Sequence, residues 1–147
     1  MDTFYTATAT SWGGRDGKVR TADGVIDMEV RPPKEMGGSG GGYTNPEQLF
    51  AAGYAACFNS ALFNAGRRKR MNLGDSVVQV TVSIGKDDGG NYRLAAAIEA
   101  MIPNVTQEQA DELAAMAHEI CPYSRATKGN IEVAVRARVL SEGEEAR

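Results

Sequence analysis

Two cysteines are the residues of this chain best suited to chemistry, and their sequence surroundings differ. Cys57 lies within the stretch FAAGYAACFNSALF, residues 50–63, which contains no acidic or basic side chain. Burial there would raise the thiol pKa and make Cys57 inert, so a nucleophilic Cys57 needs a cation from elsewhere in the fold. Cys121 directly precedes Pro122, where the chain can bend. The pattern alone favours two packing cysteines and a redox pair equally.

Metal and phosphate binding have little support in the sequence. There is one histidine, and the spacing of the cysteines is not that of metal ligands. His118 lies one helical turn before Cys121 and could tune its thiol, although a histidine near a helix C-terminus more often serves the helix dipole. GGSGGG, residues 37–42, lacks the lysine of a phosphate-binding loop. It is either a flexible linker or a mobile loop over a site.

The composition predicts one globular domain spanning residues 1–147, with 42% hydrophobic and 24% charged residues. The net charge of -3 argues against nucleic acid as a partner. The start of the chain does not resemble a signal peptide, and the longest apolar run is too short for a membrane span. We therefore expect a cytoplasmic protein with no membrane partner. A reducing compartment disfavours a permanent structural disulfide.

The elements that would position the cysteines begin with strands. Alternating Thr and aromatic residues predict a strand over residues 3–10. The segments KVRT and VIDMEV, residues 18–21 and 25–30, predict a hairpin.

The first helix should begin near residue 45 and carry Cys57. Either Asn45 is its N-cap with Pro46 in the first position, or Thr44 and Glu47 form a capping box. Apolar or small residues occupy nearly every face through residue 64, a pattern typical of a buried helix. We expect this helix to be the central one of the fold.

The remaining elements alternate between strands and a helix. Residues 76–84 and 92–102 predict a second hairpin, and 131–140 predict a last strand. Between them, a capping box of Thr106 and Gln109 should begin a second helix that runs to Cys121. This order predicts an α+β fold in which antiparallel sheets pack around two helices, one central and buried.

Three motifs together resemble the organic hydroperoxide resistance proteins of the OsmC/Ohr family. They are TNPEQLFAAGYAACF (residues 44–58), CPYSRATKGNI (121–131) and GGRDG (13–17), and the similarity covers nearly the whole chain. The CPYS segment favours the organic hydroperoxide resistance branch over the OsmC branch. One departure is Arg125, which stands where the family pattern leads us to expect asparagine.

The resemblance implies a thiol peroxidase that reduces organic hydroperoxides to alcohols without haem, metal or another cofactor. By motif, Cys57 matches the peroxidatic cysteine and Cys121 the resolving cysteine. Arg15 matches the arginine that stabilises the thiolate, and Glu47 the glutamate that holds this arginine. The implied reductant is a protein-bound dihydrolipoyl group or dihydrolipoamide.

The physical chemistry of these residue types suits those roles. A guanidinium stays charged when buried, so Arg15 can lower a thiol pKa and donate to peroxide oxygens as negative charge develops. A thiolate that attacks a peroxide becomes a sulfenic acid, which condenses with a second thiol to a disulfide. The apolar side chains near Cys57 would suit an alkyl or aryl peroxide tail; those predicted to bind it are Phe50, Tyr54 and Phe58.

The spacing of Glu47 and Cys57 bears on the assembly. They are ten residues apart on one predicted helix, hence about 15 Å apart along its axis and on different faces. Either the helix breaks between them, or the site joins Cys57 of one chain to Glu47 of another. We favour the second alternative, which predicts an intertwined two-fold homodimer with two sites at the interface.

Three other functions remain open at this point. The chain could be an OsmC-like peroxidase of broader substrate range. It could instead be a dimeric, non-catalytic binder of a small apolar ligand, with Cys57 as part of the lining. A redox sensor is the third option, weakened by the lack of a helix-turn-helix signal or basic face.

Overall fold

The computed structural model describes residues 1–141 and 144. The chain divides into two compact units, Met1–Leu49 and Phe50–Arg147. The prediction of one domain over residues 1–147 stays a prediction.

The first unit contains a three-stranded antiparallel sheet. Its strands are β1 (Ala9–Trp12), β2 (Gly17–Thr21) and β3 (Asp27–Val30), in the order β1-β2-β3. The predicted hairpin of β2 and β3 is confirmed. The predicted strand over residues 3–10 is wrong in position, because β1 begins only at Ala9, opposite the last residue of β2.

Large apolar side chains of the first unit are mostly exposed in the single chain. Val30 is the only buried hydrophobic residue among the described residues of this unit. The exposed ones are Met1, Phe4, Tyr5, Trp12, Val25, Ile26, Met28, Met36 and Tyr43. A surface of this kind is typical of a face that meets another molecule.

Helix α1 (Pro46–Arg68) begins at the end of the first unit and continues into the second. The backbone N–H of Gln48 donates to Oδ1 of Asn45 at 2.8 Å, which confirms Asn45 as N-cap with Pro46 in the first position. Its buried residues are Tyr54, Phe58, Ala61, Leu62, Ala65 and Gly66. The exposed stripe of α1 comprises Ala52, Ala56 and Ser60. In the single chain α1 is therefore buried on one side.

The second sheet contains β4 (Val77–Lys86), β5 (Tyr92–Pro103) and β6 (Val133–Leu140), in that order. The predicted hairpin of β4 and β5 is confirmed. The expectation of purely antiparallel sheets needs correction, because β5 and β6 are parallel. The reason is the helical connection between these two strands, which crosses over the sheet so that β6 enters it in the direction of β5.

Two helices form this crossover. Helix α2 (Gln107–Ile120) begins with the predicted capping box of Thr106 and Gln109, which is confirmed. Helix α3 (Pro122–Thr127) was not predicted. Pro122 both ends α2 and occupies the first position of α3, where its missing N–H costs nothing.

The core of the second unit lies where α1 and α2 meet the sheet. Its largest fully buried side chains include Tyr54, Phe58, Leu62, Ile98, Ile102 and Leu113. Two sheets with packed helices confirm the predicted α+β class. Within the described residues, no helix combines the length and the apolar character needed to traverse a bilayer.

Candidate active site

Arg15 and Glu47 form a two-pronged ion pair within the first unit. Nη1 of Arg15 donates to Oε2 of Glu47 at 2.9 Å, and Nη2 donates to Oε1 at 2.6 Å. The Glu47 side chain is 13% exposed and that of Arg15 40%. The hydrogen bond from Arg15 lowers the pKa of Glu47, against the opposing effect of burial. The structure thus brings these two predicted site residues together.

A tight turn built on glycines presents Arg15. Gly13 has φ of 76°, and a Cβ at Gly17 would lie 1.8 Å from the carbonyl oxygen of Trp12, so both positions require glycine. Arg31 supports the turn from β3's end: its Nη1 donates to the carbonyl of Gly17 at 2.9 Å, and its Nε lies 3.3 Å from Asp16. Sequence reasoning missed Arg31.

Cys57 and Cys121 meet within the second unit. Both are free thiols, and their Sγ atoms are 3.5 Å apart with Cys121 as donor. Cys121 is fully buried between α2 and α3, whereas Cys57 on α1 is partly exposed. The two thiols differ in access, and Cys57 is the one that solutes can reach.

The surroundings of Cys57 in this unit oppose its ionisation. Burial raises the pKa of the Cys57 thiol, and Cys121 raises it further. A hydrogen bond from the backbone N–H of Tyr123, in the first turn of α3, acts in the opposite direction. The net shift is upward, so a positive charge brought near Cys57 would favour its thiolate.

A chain of buried hydroxyls lies beside the thiol pair and joins the three helices. The hydroxyl of Tyr54 is 2.8 Å from Oγ of Ser124 and 3.3 Å from Oγ1 of Thr127. Nδ1 of His118 is 2.8 Å from the same Ser124 oxygen. Thr127 donates to the carbonyl of Ser124 at 3.1 Å. These bonds fix α3, and with it Cys121, against α1 and α2.

Three aromatic rings cluster at the start of this unit. Phe50 and Tyr54 have ring centroids 5.9 Å apart, and Tyr123 lies 6.3 Å from Phe50 and 5.7 Å from Tyr54. Gly53 makes room for Tyr123, since a Cβ there would lie 2.9 Å from the tyrosine hydroxyl.

The residues predicted to hold a peroxide tail occupy different depths. Tyr54 and Phe58 are fully buried in the core, and Phe58 packs 6.4 Å from the ring of His118. Phe50 is only partly buried at the edge of the core. Their role toward a substrate stays a prediction.

Helix α1 excludes one of the two alternatives for Glu47 and Cys57. The helix runs without interruption from Pro46 to Arg68, so no break occurs between the two residues. The alternative that joins Cys57 of one chain to Glu47 of another stays a prediction. In the part of the chain that the structure describes, no cluster of three or more His, Cys, Asp or Glu residues could hold a metal ion.

Sequence reasoning missed the hydroxyl chain and Tyr123. Ser124 and Tyr123 belong to the CPYS segment, in which sequence reasoning assigned a role only to the cysteine. A signal was available, because Pro122 can begin a helix and would place Ser124 one turn after Cys121. Tyr54, in contrast, is 70 residues from Ser124, and no local pattern links them.

The fold and the paired thiols define the class of this protein: an α+β protein with a dithiol site among its helices. The family model of OsmC-like proteins matches residues 38–136. The organic hydroperoxide resistance protein-like 2 of Staphylococcus epidermidis is 45% identical over 133 residues, which cover 90% of this chain and 94% of the relative. The chain therefore belongs to the OsmC/Ohr family, with organic hydroperoxide resistance proteins among its relatives.

Solved structures agree with this assignment. An organic hydroperoxide resistance protein from Elizabethkingia anophelis has a TM-score of 0.90 at 46% identity, covering 95% of this chain and 100% of its own. One from Vibrio cholerae, with captopril bound in one of the active sites, has a TM-score of 0.88 at 45% identity and covers 93% and 94%.

Proposed function

We propose that this protein is a cysteine-based peroxidase that reduces organic hydroperoxides to alcohols. The observation that carries the proposal is the pair of free thiols, with Cys57 accessible and Cys121 buried 3.5 Å away. The family supports the substrate class, since relatives at 41% and 45% identity are organic hydroperoxide resistance proteins or closely named.

The first chemical step takes place at Cys57. Its thiolate attacks one peroxide oxygen, the O–O bond breaks, and the alkoxide leaves and takes up a proton to become the alcohol. Cys57 is then a sulfenic acid. Arg15 is proposed to lower the thiol pKa and to donate to the departing alkoxide, while Glu47 holds its guanidinium in place.

The second step involves Cys121. Its sulfur attacks the sulfur of the Cys57 sulfenic acid. The S–S bond forms as the S–O bond of the sulfenic acid breaks. The leaving hydroxide combines with the Cys121 proton as water. The short separation of the two sulfurs supports this step because little movement is needed.

A dithiol of the dihydrolipoyl type is proposed as the reductant. Its first thiolate attacks Cys57, the partly exposed sulfur, and releases the Cys121 thiolate, which takes up a proton. Its second thiol then displaces Cys57, so that the reductant leaves as a cyclic disulfide. Two electrons reach the peroxidase, and both cysteines return to thiols.

We further propose that the working form is a two-fold homodimer in which Arg15 and Glu47 of one chain serve Cys57 of the other. Three observations support it: the unbroken helix between Glu47 and Cys57, the exposed stripe of α1, and the exposed apolar side chains of the first unit. A second chain would cover these surfaces, and an isologous pair would contain two equal sites.

The substrate tail is proposed to lie against the apolar side chains beside Cys57. Phe50 is the best placed of the three predicted residues, since it is only partly buried and packs near Tyr123, which is exposed. Tyr54 and Phe58, which are fully buried, would pack beneath this surface and hold it in place rather than contact the substrate.

A steady-state assay tests the function. Cumene hydroperoxide is supplied with dihydrolipoamide, with glutathione in a parallel assay and Cys57→Ser protein as control. We expect sustained peroxide consumption with dihydrolipoamide, little with glutathione, and none with the variant. Loss of two thiols without turnover would instead indicate a sensor, and no thiol loss a ligand binder; either result would reject the proposal.

A further inference from the structure

A cavity that neither cysteine lines lies between the end of α2 and helix α3. Its volume is about 430 Å³, and it opens to solvent. Its lining residues are His118, Glu119, Ser124, Arg125 and Lys128. Neither thiol lines it, so its chemistry is separate from that of the dithiol site.

Positive charge dominates this cavity. Arg125 and Lys128 contribute two cations, and Glu119 is the one acidic residue of the lining. Within the described residues, neither the Arg125 nor the Lys128 side chain forms an ion pair or a hydrogen bond with another residue. Both donors are therefore available to a ligand.

Arg125 contributes a planar guanidinium to the lining of the cavity. The family resemblance leads us to expect asparagine directly after CPYS. In this chain that residue is Arg125, and its guanidinium lines the cavity. A planar guanidinium binds carboxylate and phosphate through paired hydrogen bonds, which an asparagine does not reproduce.

The imidazole of His118 is a titratable group in the lining of the cavity. Its Nδ1 is engaged by Ser124, which is 1% exposed, so Nε2 is the nitrogen left for a ligand. Burial holds the pKa of His118 below its ordinary value, and the ammonium of Lys128 lowers it further, against the opposing effect of Glu119. An anion in the cavity would reverse this balance by stabilising the imidazolium.

We propose that the cavity between α2 and α3 binds a small oxyanion, a carboxylate or a phosphate group, through Arg125, Lys128 and the imidazole of His118. The site is distinct from the peroxidase chemistry proposed above and does not depend on it. The ligand is held near solvent by two flexible side chains, so the dissociation constant should be on the order of millimolar.

Occupancy of the cavity has a consequence inside the protein. A charged imidazole can only donate from Nδ1, so the Ser124 hydroxyl must then accept a hydrogen bond from His118. The same hydroxyl donates its own hydrogen bond to the Tyr54 oxygen. The hydroxyl proton of Thr127 goes to the Ser124 carbonyl, which leaves Thr127 to accept from Tyr54. An anion at the surface thus fixes the direction of the hydroxyl chain that holds α3.

The single histidine of the chain makes the test specific. The imidazole NMR signal of the full-length protein is followed during titration with inorganic phosphate and, separately, with acetate, at ionic strength held constant with sodium chloride. We expect a saturable shift and a raised pKa of His118 at saturation. Arg125→Asn and Lys128→Gln should each weaken binding, Arg125→Asn by about tenfold.

Lys86→Gln is the matched control, since it removes a cation far along the chain on β4 and should bind as the wild type does. Saturation by phosphate alone identifies a phosphate-bearing ligand, and saturation by acetate identifies a carboxylate. A linear shift, or a shift of equal size in the Arg125→Asn protein with unchanged circular dichroism, would overturn the proposal. The binding of phosphate or acetate is measured without peroxide turnover. A failure to bind either anion and a failure of the peroxidase assay are therefore separate outcomes.

Discussion

Cys121 stands alone between two helices with its sulfur 3.5 Å from that of Cys57. It closes α2 and precedes α3, and its own φ and ψ of -60° and 121° belong to extended backbone. A disulfide needs about 2.05 Å between the sulfurs, so the approach required is about 1.5 Å. A rotation of the Cys121 side chain about its Cα–Cβ bond would move the sulfur without breaking a backbone hydrogen bond of either helix.

Replacement of Cys57 and replacement of Cys121 should have different effects on the reaction with peroxide. Cys57→Ser should reduce peroxide consumption to background because no nucleophile remains. Cys121→Ser should react once and stall as a sulfenic or overoxidised acid, because nothing condenses with the sulfenic acid. Mass spectrometry of intact protein after one equivalent of peroxide distinguishes the two. Normal turnover by Cys57→Ser would show that the roles are assigned wrongly.

Organic substrates should react faster than hydrogen peroxide. Burial of an alkyl tail against the apolar surface beside Cys57 stabilises the transition state by about 0.8 kcal/mol per CH₂ group. Two such groups correspond to roughly tenfold in the second-order rate constant. Stopped-flow measurement with tert-butyl hydroperoxide, cumene hydroperoxide and hydrogen peroxide checks this order. Equal rate constants for all three would contradict it.

Subunit exchange should reveal whether the site is shared. In the proposed homodimer, a mixture of Cys57→Ser and Glu47→Ala proteins gives heterodimers in which, if the site is shared, one site lacks both groups and the other retains both. If Glu47 serves the cysteine of the partner chain, activity returns toward half that of a wild-type dimer. The same mixture made with Arg15→Ala in place of Glu47→Ala should behave alike.

The exchange experiment needs two controls. Each parent must be inactive alone, and heterodimers must be confirmed by native mass spectrometry of differently tagged chains. Absence of recovery under these conditions would contradict a site shared between the two chains.

The Arg15–Glu47 pair should make stability depend on pH in a defined direction. Arg15 lowers the pKa of folded Glu47 below the ordinary value of 4.5. The stabilisation is therefore complete above that value and is lost as the pH falls through the lower, folded pKa. Because the pair is partly exposed, Glu47→Gln should cost about 1 kcal/mol at pH 7.

Urea unfolding of the wild type and Glu47→Gln at a series of pH values from 7 to 3 measures this difference. The gap in the free energy of unfolding should narrow below about pH 4.5. Glu35→Gln, at an exposed position of the same unit, is the matched control. A gap that stays constant down to pH 3 would show that the ionised carboxylate of Glu47 is not what stabilises the fold.

Removal of the Tyr54 hydroxyl should destabilise the second unit. Tyr54→Phe leaves Ser124 and Thr127, both buried, with one partner fewer each. The expected cost is about 1–2 kcal/mol in the free energy of unfolding. Tyr92→Phe, at an exposed position on β5, should change stability by less than about 0.5 kcal/mol. If both variants unfold alike, the hydroxyl chain contributes no stability.

Local signals were enough to predict most of the elements. Asn45 with Pro46, and Thr106 with Gln109, are caps formed within a few residues, and the structure has both helices beginning there. Helix α3 escaped prediction because six residues are too few for a periodic pattern. The direction of β6 escaped it too, since alternation of side chains is the same in parallel and antiparallel strands.

The candidate site was less accessible to local reasoning. The pairing of Arg15 with Glu47 and of Cys57 with Cys121 spans 32 and 64 residues, so only the family resemblance pointed to either. The hydroxyl chain was missed because Tyr54 looks like an ordinary member of an apolar helix until Ser124 and Thr127 are placed beside it.

The separation of Cys57 and Cys121 along the chain bears on how long the protein survives. The proposed disulfide between these residues, 64 apart, would close a large loop in the unfolded chain, and the lower entropy of the unfolded chain would stabilise the fold by up to about 4 kcal/mol. Proteases of the cell degrade mainly chains that have unfolded. If the proposed disulfide forms, the oxidised protein should therefore be degraded more slowly than the dithiol form when reductant is scarce.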